Sequence, residues 1–275
     1  MTEHTKMPSY SYSLATGGAA AQRLALLNTV YGAEAERILA QINMPVGGRV
    51  VDFGCGTGST LPWFSNKVGA CGEVVGLDAS SEQLGIARQS CSDLGLNNVR
   101  FVEASAYQSG LERGSFDVAH CRLLLCHLQR PMDALREMAS LLRPGGVVIC
   151  FDLDLKGLHS IPRTDCYETL REVYLERRKD DGLDNDLNSH LPAMMRDLDL
   201  IDIEMASLHP TYFQGEKKRL WEYTFAESKA RTLEKKLLTV EAFDKLMADV
   251  SNVGHDENTA VAQAIMPVCW ARKKK

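Results

Sequence analysis

Nine consecutive residues decide the fold prediction: Val50-Val51-Asp52-Phe53-Gly54-Cys55-Gly56-Thr57-Gly58. The apolar residues ahead of the glycines have the length and composition of a buried strand. The three glycines permit positive φ and let backbone N–H groups approach a ligand closely. A strand that turns into a helix through such a loop predicts the first unit of an α/β sheet.

Apolar runs of strand length alternate with amphipathic stretches of helix length on the carboxyl side of this loop. The predicted strands are 49–53, 73–77, 99–102, 116–120 and 147–151. The predicted helices between them are 59–67, 81–94 and 132–142. This alternation is typical of a doubly wound, mostly parallel sheet that is covered on both faces.

The rest of the chain is less regular, and we divide it into segments around that core. Further helices are predicted at 19–30, 33–42, 164–179, 193–197, 217–238 and 240–248, and further strands at 200–207 and 260–271. The predicted organisation is an N-terminal helical arm at 1–46, the core at 47–152, a helical lid insertion without a sheet strand at 153–198, and a return to the sheet at 199–275.

Composition excludes several classes of protein. The 275 residues are 45% apolar and 24% charged, which is typical of a globular protein, and the net charge of -5 gives no basic field for nucleic acid. No apolar run reaches the roughly 20 residues that span a bilayer, and no signal peptide is recognisable, so we expect a cytoplasmic protein with no membrane partner. The eight cysteines form no C-x-x-C pair, so we expect buried thiols and no metal site.

The spacing around the glycine loop predicts the type of ligand. Asp78 follows the loop by about 20 residues, the separation at which a carboxylate binds a ribose diol. The loop reads G-x-G-x-G with Asp52 two residues ahead of it, which is neither the dinucleotide G-x-G-x-x-G nor a P-loop, since no G-K-[ST] follows. These features favour a nucleoside that carries an amino-acid end rather than phosphates.

Four further motifs stand in order with the glycine loop. They are G-L-D-A-S (76–80), G-S-F-D-V-A (114–119), C-R-L-L-L-C-H-L-Q-R-P (121–131) and L-L-R-P-G-G (141–146). With them the chain resembles the class I S-adenosylmethionine-dependent methyltransferases, specifically the small-molecule group with a type 11 domain, over about 47–152. The resemblance implies a seven-stranded sheet whose last strand, 260–271, lies antiparallel beside the fifth, and S-adenosylmethionine as cofactor.

The resemblance also implies a set of cofactor-binding residues. Backbone at Gly54 and Gly56 would meet the methionine part of the cofactor, Asp52 its ammonium group and Asp78 its ribose hydroxyls. The adenine would be bordered by Ala79, by Gln83 where the family often has Met, and by Ser105 and Ala106 where it usually has Asp and Ala. Apart from the resemblance, Tyr12 and Arg23 on the arm side are candidates to cap the cofactor's carboxylate, since a phenol or a guanidinium can bind it, and the alternative for Arg23 is an exposed helical residue. Cys121 completes the predicted set.

The methyl acceptor would lie beside the cofactor at the carboxyl ends of the strands. His127 is the candidate catalytic base, and the alternative is that it joins the fourth strand to the next helix. Other candidates in or beside the lid are His159, His209, Tyr212 and Trp221. Arg122 either reaches a carboxylate of cofactor or substrate or pairs with a neighbouring helix. The acidic residues at 180–188 lack the calcium-loop pattern and are expected to form a solvated loop.

The predicted function is methyl transfer to O, N or C of a small organic metabolite. In-line transfer from a sulfonium depends largely on positioning, which can supply roughly 7 to 11 kcal/mol. Two alternatives stay open: an RNA or protein methyltransferase, disfavoured by the missing basic face, and a protein that uses S-adenosylmethionine without methyl transfer. Oligomeric state and the acceptor itself are not determined by the sequence.

Overall fold

A seven-stranded sheet forms the centre of the computed structural model, which describes residues 21–275 and side chains from Arg23 onward. The strand order is β3-β2-β1-β4-β5-β10-β7. Its strands are β1 (Arg49–Phe53), β2 (Glu73–Asp78), β3 (Val99–Glu103), β4 (Phe116–Arg122), β5 (Leu142–Phe151), β7 (Ile201–Leu208) and β10 (Met266–Arg272). Strands β1 to β5 are mutually parallel, and β10 runs antiparallel to both β5 and β7. The predicted seven-stranded α/β sheet is therefore confirmed.

The order of the strands places a crevice after β1. Strand β1 pairs with β2 on one side and with β4 on the other, so the connections leave β1 and β4 in opposite directions across the sheet. Ligands of open α/β sheets bind at such a switch point, outside the carboxyl ends of the strands. The glycine loop lies at this point.

Nine α-helices are found over residues 21–275, and they cover the sheet. Their bounds are α1 (Ala21–Leu39), α2 (Leu61–Val68), α3 (Ser81–Asp93), α4 (Pro131–Leu141), α5 (Asp165–Asp180), α6 (Leu187–Asp197), α7 (Leu220–Glu227), α8 (Lys229–Glu234) and α9 (Val240–His255). Val50 packs with α1, α2 and α3, whereas its neighbour Val51 packs with α4 and α6. This is the two-residue alternation of a strand between two layers. A third apolar cluster joins α5 to α7 and α9.

A second, three-stranded sheet was not predicted. It consists of β6 (His159–Ile161), β8 (Thr211–Tyr212) and β9 (Ala260–Ala262), in the order β6-β9-β8 with antiparallel pairing. The predicted strand 260–271 is thus two strands in two sheets, and the insertion that was expected to have no strand contributes β6. Apart from Gln263, which stands between the two strands, the residues from Ala260 to Met266 are apolar, so the run resembles one continuous strand.

Two predicted helix boundaries were wrong for physical reasons. The N-terminal helices predicted at 19–30 and 33–42 are one helix, α1. Burial of Tyr31 and Ala35 outweighs the helix penalty of Gly32, about 1 kcal/mol. The helix predicted at 217–238 is a 3-10 turn followed by α7 and α8, which meet at Ser228, where the hydroxyl donates to the Phe225 carbonyl and competes with the helical backbone. Over residues 21–275, no helix combines the length and apolar character needed to cross a membrane.

Candidate functional site

A cavity of about 670 Å³ lies at the carboxyl ends of β1 to β5, beneath α1, α5 and α7. Its volume is in the range of small-molecule sites. The structure brings ten of the predicted site residues together on its wall: Arg23, Asp52, Gly54, Gly56, Asp78, Ala79, Gln83, Ser105, Ala106 and His127. Tyr12 lies outside the described residues.

The glycine loop and Asp78 form one hydrogen-bonded unit. Gly54 and Gly56 have φ of 64° and 54°, which only glycine adopts readily. A Cβ on Gly56 would meet no atom of the described residues within 4 Å, so on that part of the chain its backbone is open to the cavity. The Asp78 carboxylate accepts from the N–H of Gly56 and from the N–H of Ser80, each at 2.9 Å. The carboxylate at the end of β2 is thereby fixed against the loop that follows β1.

Asp52 is buried beneath this loop and has two side-chain partners. Its Oδ1 lies 2.7 Å from Nδ1 of His120, and its Oδ2 accepts from the Thr60 hydroxyl at 2.5 Å. Each carboxylate oxygen retains a further lone pair for a ligand. Sequence reasoning missed His120, although a histidine between the apolar residues Val118, Ala119 and Cys121 of strand β4 was a signal that could have been followed.

The side of the cavity near β2 and β3 offers polar groups that can hydrogen-bond to a nucleobase. Gln83 is buried, and its Oε1 has no hydrogen-bond partner within the described part of the chain. Ser105 is exposed, and its hydroxyl accepts from the N–H of Tyr107 at 3.2 Å. The remaining lone pair and the hydroxyl proton of Ser105 can still bind a ligand.

Two arginines approach the cavity from the side of α1. Arg23 is 5% exposed, its Nε lies 2.9 Å from Oε2 of Glu227 on α7, and its Nη2 has no hydrogen-bond partner among the described residues. Arg122 donates to Asn28 on α1 at 3.1 Å and to Ser59 at 2.7 Å. Of the two predictions for Arg122, pairing with a neighbouring helix is what the structure shows, although the residue also lines the cavity.

His127 lies in the 3-10 turn Leu125–His127 that follows β4. Burial, together with the nearby cations of Arg178, Arg23 and Arg177, lowers its pKa to about 3. The imidazole is therefore neutral at pH 7 and binds a proton weakly. A general base works best when its pKa lies near the operating pH, so this side chain is a poor base. It remains suitable as a neutral hydrogen-bonding group.

Asp152 is a buried carboxylate that the sequence analysis did not single out. It follows β5, its Oδ1 accepts from the N–H of Cys126 at 3.3 Å, and its Oδ2 has no hydrogen-bond partner over residues 23–275. Burial raises the pKa of Asp152 to about 6, against the opposing effect of Arg178. Its neighbours Cys126 and Leu153 line the cavity.

The prediction of a solvated acidic loop at 180–188 was wrong for Asp181. Its carboxylate is fully buried and lies 2.9 Å from Arg231, 3.0 Å from Lys235 and 3.6 Å from Arg177. Cations that are distant in sequence stabilise this buried carboxylate. Local composition therefore could not reveal that Asp181 is buried. Within the described ranges, no group of three or more His, Cys, Asp or Glu side chains is arranged to hold a metal ion.

Several other candidates lie elsewhere. His159 and His209 both approach the Gly157 carbonyl, at 2.8 and 3.0 Å, and the Tyr212 hydroxyl donates to the Val30 carbonyl. Cys121 is fully buried in the apolar layer with α4. None of these four is among the described residues that line the cavity, whereas Trp221 is.

The core of the sheet matches a known protein family model. Residues 51–150 match the family model described as "Methyltransferase domain", of type 11. The demethylmenaquinone methyltransferase of Oceanobacillus iheyensis is 35% identical over 114 residues, which are 42% of this chain and 48% of that protein. The chain thus spans about half the length of the curated relatives that it matches.

Two solved structures share the fold at lower identity. The YcgJ protein of Bacillus subtilis superposes with a TM-score of 0.59 and 21% identity, over 86% of this chain and 97% of that one. The [4+2]-cyclase SpnF superposes with a TM-score of 0.55 and 18% identity, over 95% of this chain and 98% of that one. At these identities the likeness concerns the fold alone.

Proposed function

We propose that this chain, whose residues 51–150 form a class I S-adenosylmethionine-dependent methyltransferase domain of type 11, transfers the cofactor's methyl group to a small organic acceptor. One observation carries the proposal. The open backbone of Gly56 and the carboxylate of Asp78 are joined by a hydrogen bond on the wall of a cavity at the switch point of the sheet. This arrangement suits a nucleoside with an amino-acid end.

The residues present fit S-adenosylmethionine. Asp78 would bind the ribose hydroxyls, and the backbone at Gly54 and Gly56 would meet the methionine part. Asp52 has lone pairs for the ammonium group. Arg23, whose Nη2 has no partner in the described chain, would bind the carboxylate.

The adenine would lie on the β2 and β3 side of the cavity. Ala79 and Ala106 supply apolar contact there, and Ser105 supplies a hydroxyl. The buried Oε1 of Gln83, which has no partner among residues 23–275, can accept a hydrogen bond from the ligand. The predicted roles of Tyr12 and Cys121 receive no support from the described geometry.

The chain's own contribution to the reaction is positioning and exclusion of water. When bound, the cofactor supplies an electrophilic methyl group on a sulfonium. Helices α5 and α7 cover the cavity with Tyr174, Leu220 and Trp221, so the reacting groups would be enclosed. His127 is neutral and can orient the acceptor through a hydrogen bond, whereas its low pKa disfavours proton abstraction. Positioning can supply roughly 7 to 11 kcal/mol of the barrier reduction.

The match to the demethylmenaquinone enzyme supports the reaction type more than the acceptor. The family match ends at residue 150, and the helices α5 and α7 that line the cavity follow that point. A quinone-like ring is therefore one candidate acceptor among small organic molecules. The cytoplasmic location stays a prediction, as does the exclusion of nucleic acid.

A second candidate is use of the cofactor without methyl transfer. The SpnF cyclase has this fold, and one fold hosts many chemistries. The two candidates differ in one product, a methylated acceptor.

Two measurements test the proposal. In isothermal titration, S-adenosylhomocysteine should bind and NAD and ATP should not, since the loop lacks phosphate-binding elements. Incubation with methyl-labelled S-adenosylmethionine and a metabolite extract should give a labelled small molecule by mass spectrometry. Comparable affinity for NAD would reject the cofactor assignment, and cofactor binding without any labelled product would favour the second candidate.

A further inference from the structure

The cavity extends beyond the residues that would hold the cofactor. The sheet order puts the ends of β2 and β3 on one side of β1, and β4 and β5 on the other. The side beyond β4 is walled by Arg178 and Tyr174 of α5, by Trp221 and Thr224 of α7, and by His127. If the cofactor lies over β1 to β3 as proposed, this part of the cavity holds the acceptor.

Arg178 is buried in this wall, and no carboxylate of residues 23–275 is hydrogen-bonded to it. It is 4% exposed, and its described hydrogen bonds go to neutral oxygens: Asn185 Oδ1 and the Cys126 carbonyl, each at 2.9 Å, and the Asp184 carbonyl at 3.5 Å. A buried cation is costly unless it is paired. An anionic ligand could supply the partner.

The charged groups around Arg178 are arranged without an ion pair to it among the described residues. Arg177, its neighbour, is 1% exposed and shares the single carboxylate of Asp181 with Arg231 and Lys235. Nε and Nη1 of Arg177 are buried without a hydrogen-bond partner over residues 23–275. Arg231 also pairs with Glu234 at 2.7 Å, and the buried carboxylate of Asp152 interacts with Arg178 electrostatically. Over residues 23–275, however, none of these carboxylates accepts a hydrogen bond from Arg178, so its guanidinium still lacks a paired anion.

The remaining surface beside Arg178 is apolar. The rings of Tyr174 and Trp221 meet edge to face, with centroids 5.5 Å apart, and both are nearly fully buried. Leu153, Leu155 and Leu220 extend this surface along the cavity. A ligand that fits it needs an apolar body, and aromatic rings pack well against such edges.

We infer that the methyl acceptor is a small organic anion, whose apolar body packs against Tyr174 and Trp221 and whose acidic group binds Arg178. The inference rests on the proposed function. A guanidinium binds a carboxylate or a phosphate through two parallel hydrogen bonds. Arg178 then determines specificity for the acidic group of the acceptor, whereas Arg23 binds the carboxylate of the cofactor.

Matched probes test the inference on the full chain saturated with S-adenosylhomocysteine. Isothermal titration compares indole-3-acetate with its neutral isostere indole-3-acetamide, and 1-naphthyl phosphate with 1-naphthol. In at least one pair the anion should bind about tenfold or more tightly than its neutral partner, since hydrogen bonds to charged groups are the strong ones. The pair with the larger ratio identifies the acidic group as carboxylate or phosphate.

Variants assign the effect to Arg178. Arg178→Gln should bring the ratio close to one while S-adenosylhomocysteine binds with unchanged affinity. Lys179→Gln is the matched control, because it removes a cation from the next position of α5, where the side chain is 72% exposed. It should leave the ratio as in the unsubstituted chain. If Arg178→Gln does not fold, Arg178→Lys, which keeps the charge but loses the paired geometry, should give an intermediate ratio.

The outcomes separate this inference from the proposed function. Equal affinities within both pairs, no saturable binding of either anion, or a ratio that Arg178→Gln or its replacement Arg178→Lys leaves unchanged would overturn the inference. Failure of the unsubstituted chain to bind S-adenosylhomocysteine would instead reject the proposed function.

Discussion

His120 Nδ1 lies 2.7 Å from Asp52 Oδ1, and both side chains are buried beneath the glycine loop. Thr60 donates to the other carboxylate oxygen, so Asp52 is held from two sides. Nε2 of His120 has no hydrogen-bond partner in the described chain, and a void of about 10 Å³ lies beside it, close to the smallest space that holds a water. This contact connects β4 to the end of β1, just ahead of the loop that would hold the cofactor.

Replacing His120 should loosen Asp52. We expect His120→Phe to weaken S-adenosylhomocysteine binding and to lower the free energy of unfolding by about 1 to 3 kcal/mol, because a buried carboxylate oxygen loses its partner. His120→Asn, which can still donate a hydrogen bond, should restore part of both. Titration calorimetry and urea unfolding measure the two effects. A loss of stability with unchanged affinity would show that the contact serves the fold alone.

Asp78 should be needed for both binding and loop order. Asp78→Ala removes the carboxylate that is proposed to bind the ribose. We expect the free energy of binding S-adenosylhomocysteine to become less favourable by roughly 1.5 to 3 kcal/mol. Because the carboxylate also accepts from the N–H groups of Gly56 and Ser80, the melting temperature should fall too. Asp78→Asn is the matched control, since it keeps the volume and one acceptor oxygen. Unchanged affinity in Asp78→Ala would remove Asp78 from the cofactor site.

Ser105 offers a gain-of-affinity test. Ser105→Asp can keep the turn hydrogen bond from the N–H of Tyr107 and adds a charged acceptor for the adenine amine, so S-adenosylhomocysteine should bind more tightly. Calorimetry at constant ionic strength measures the change, with Ser105→Ala as the comparison. Weaker binding by Ser105→Asp with unchanged melting would mean that Ser105 does not face the adenine.

His127 should make the protein less stable in acid. Its pKa falls from 6.5 to about 3 on folding, so between these values the unfolded chain binds a proton that the folded chain does not. Stability is then lost as the pH falls through this window, by at most about 1.4 kcal/mol per pH unit. Unfolding free energies from pH 7 to 4 should decline less in His127→Gln. If the unfolding free energies of the two proteins fall in parallel with pH, the lowered pKa of His127 is contradicted.

The pH dependence of stability that Asp152 contributes should be opposite to that of His127. Its pKa is raised from 3.8 to about 6 on folding, so between these values the folded chain holds a proton that the unfolded chain releases. The contribution of Asp152 to stability therefore rises as the pH falls from 7 to 4 and is absent at higher pH. Relative to Asp152→Asn, the unsubstituted protein should gain stability over this range in urea unfolding. A constant difference between the two would show that Asp152 stays ionised.

The sequence by itself determined the core of this fold and much of the candidate site. Strand β1, the glycine loop and Asp78 were recognisable because local periodicity and glycine chemistry depend only on neighbouring residues. The boundaries of β1 were predicted to the residue, at Arg49 and Phe53. Parallel pairing then brings the carboxyl ends of the strands to one edge, so the cofactor residues could be grouped without coordinates.

Only the tertiary structure decided which charges are buried and paired. Asp181 looked solvated in its acidic stretch, yet Arg231, 50 residues away, lies against its carboxylate. His120 meets Asp52 across 68 residues, and Arg178 meets the Cys126 carbonyl across 52. Parallel pairing of β1 with β4 sets His120 beside Asp52, the packing of α8 against α5 brings Arg231 to Asp181, and α5 carries Arg178 to the turn after β4. Burial of a charge depends on partners that folding brings together, and no local pattern records them.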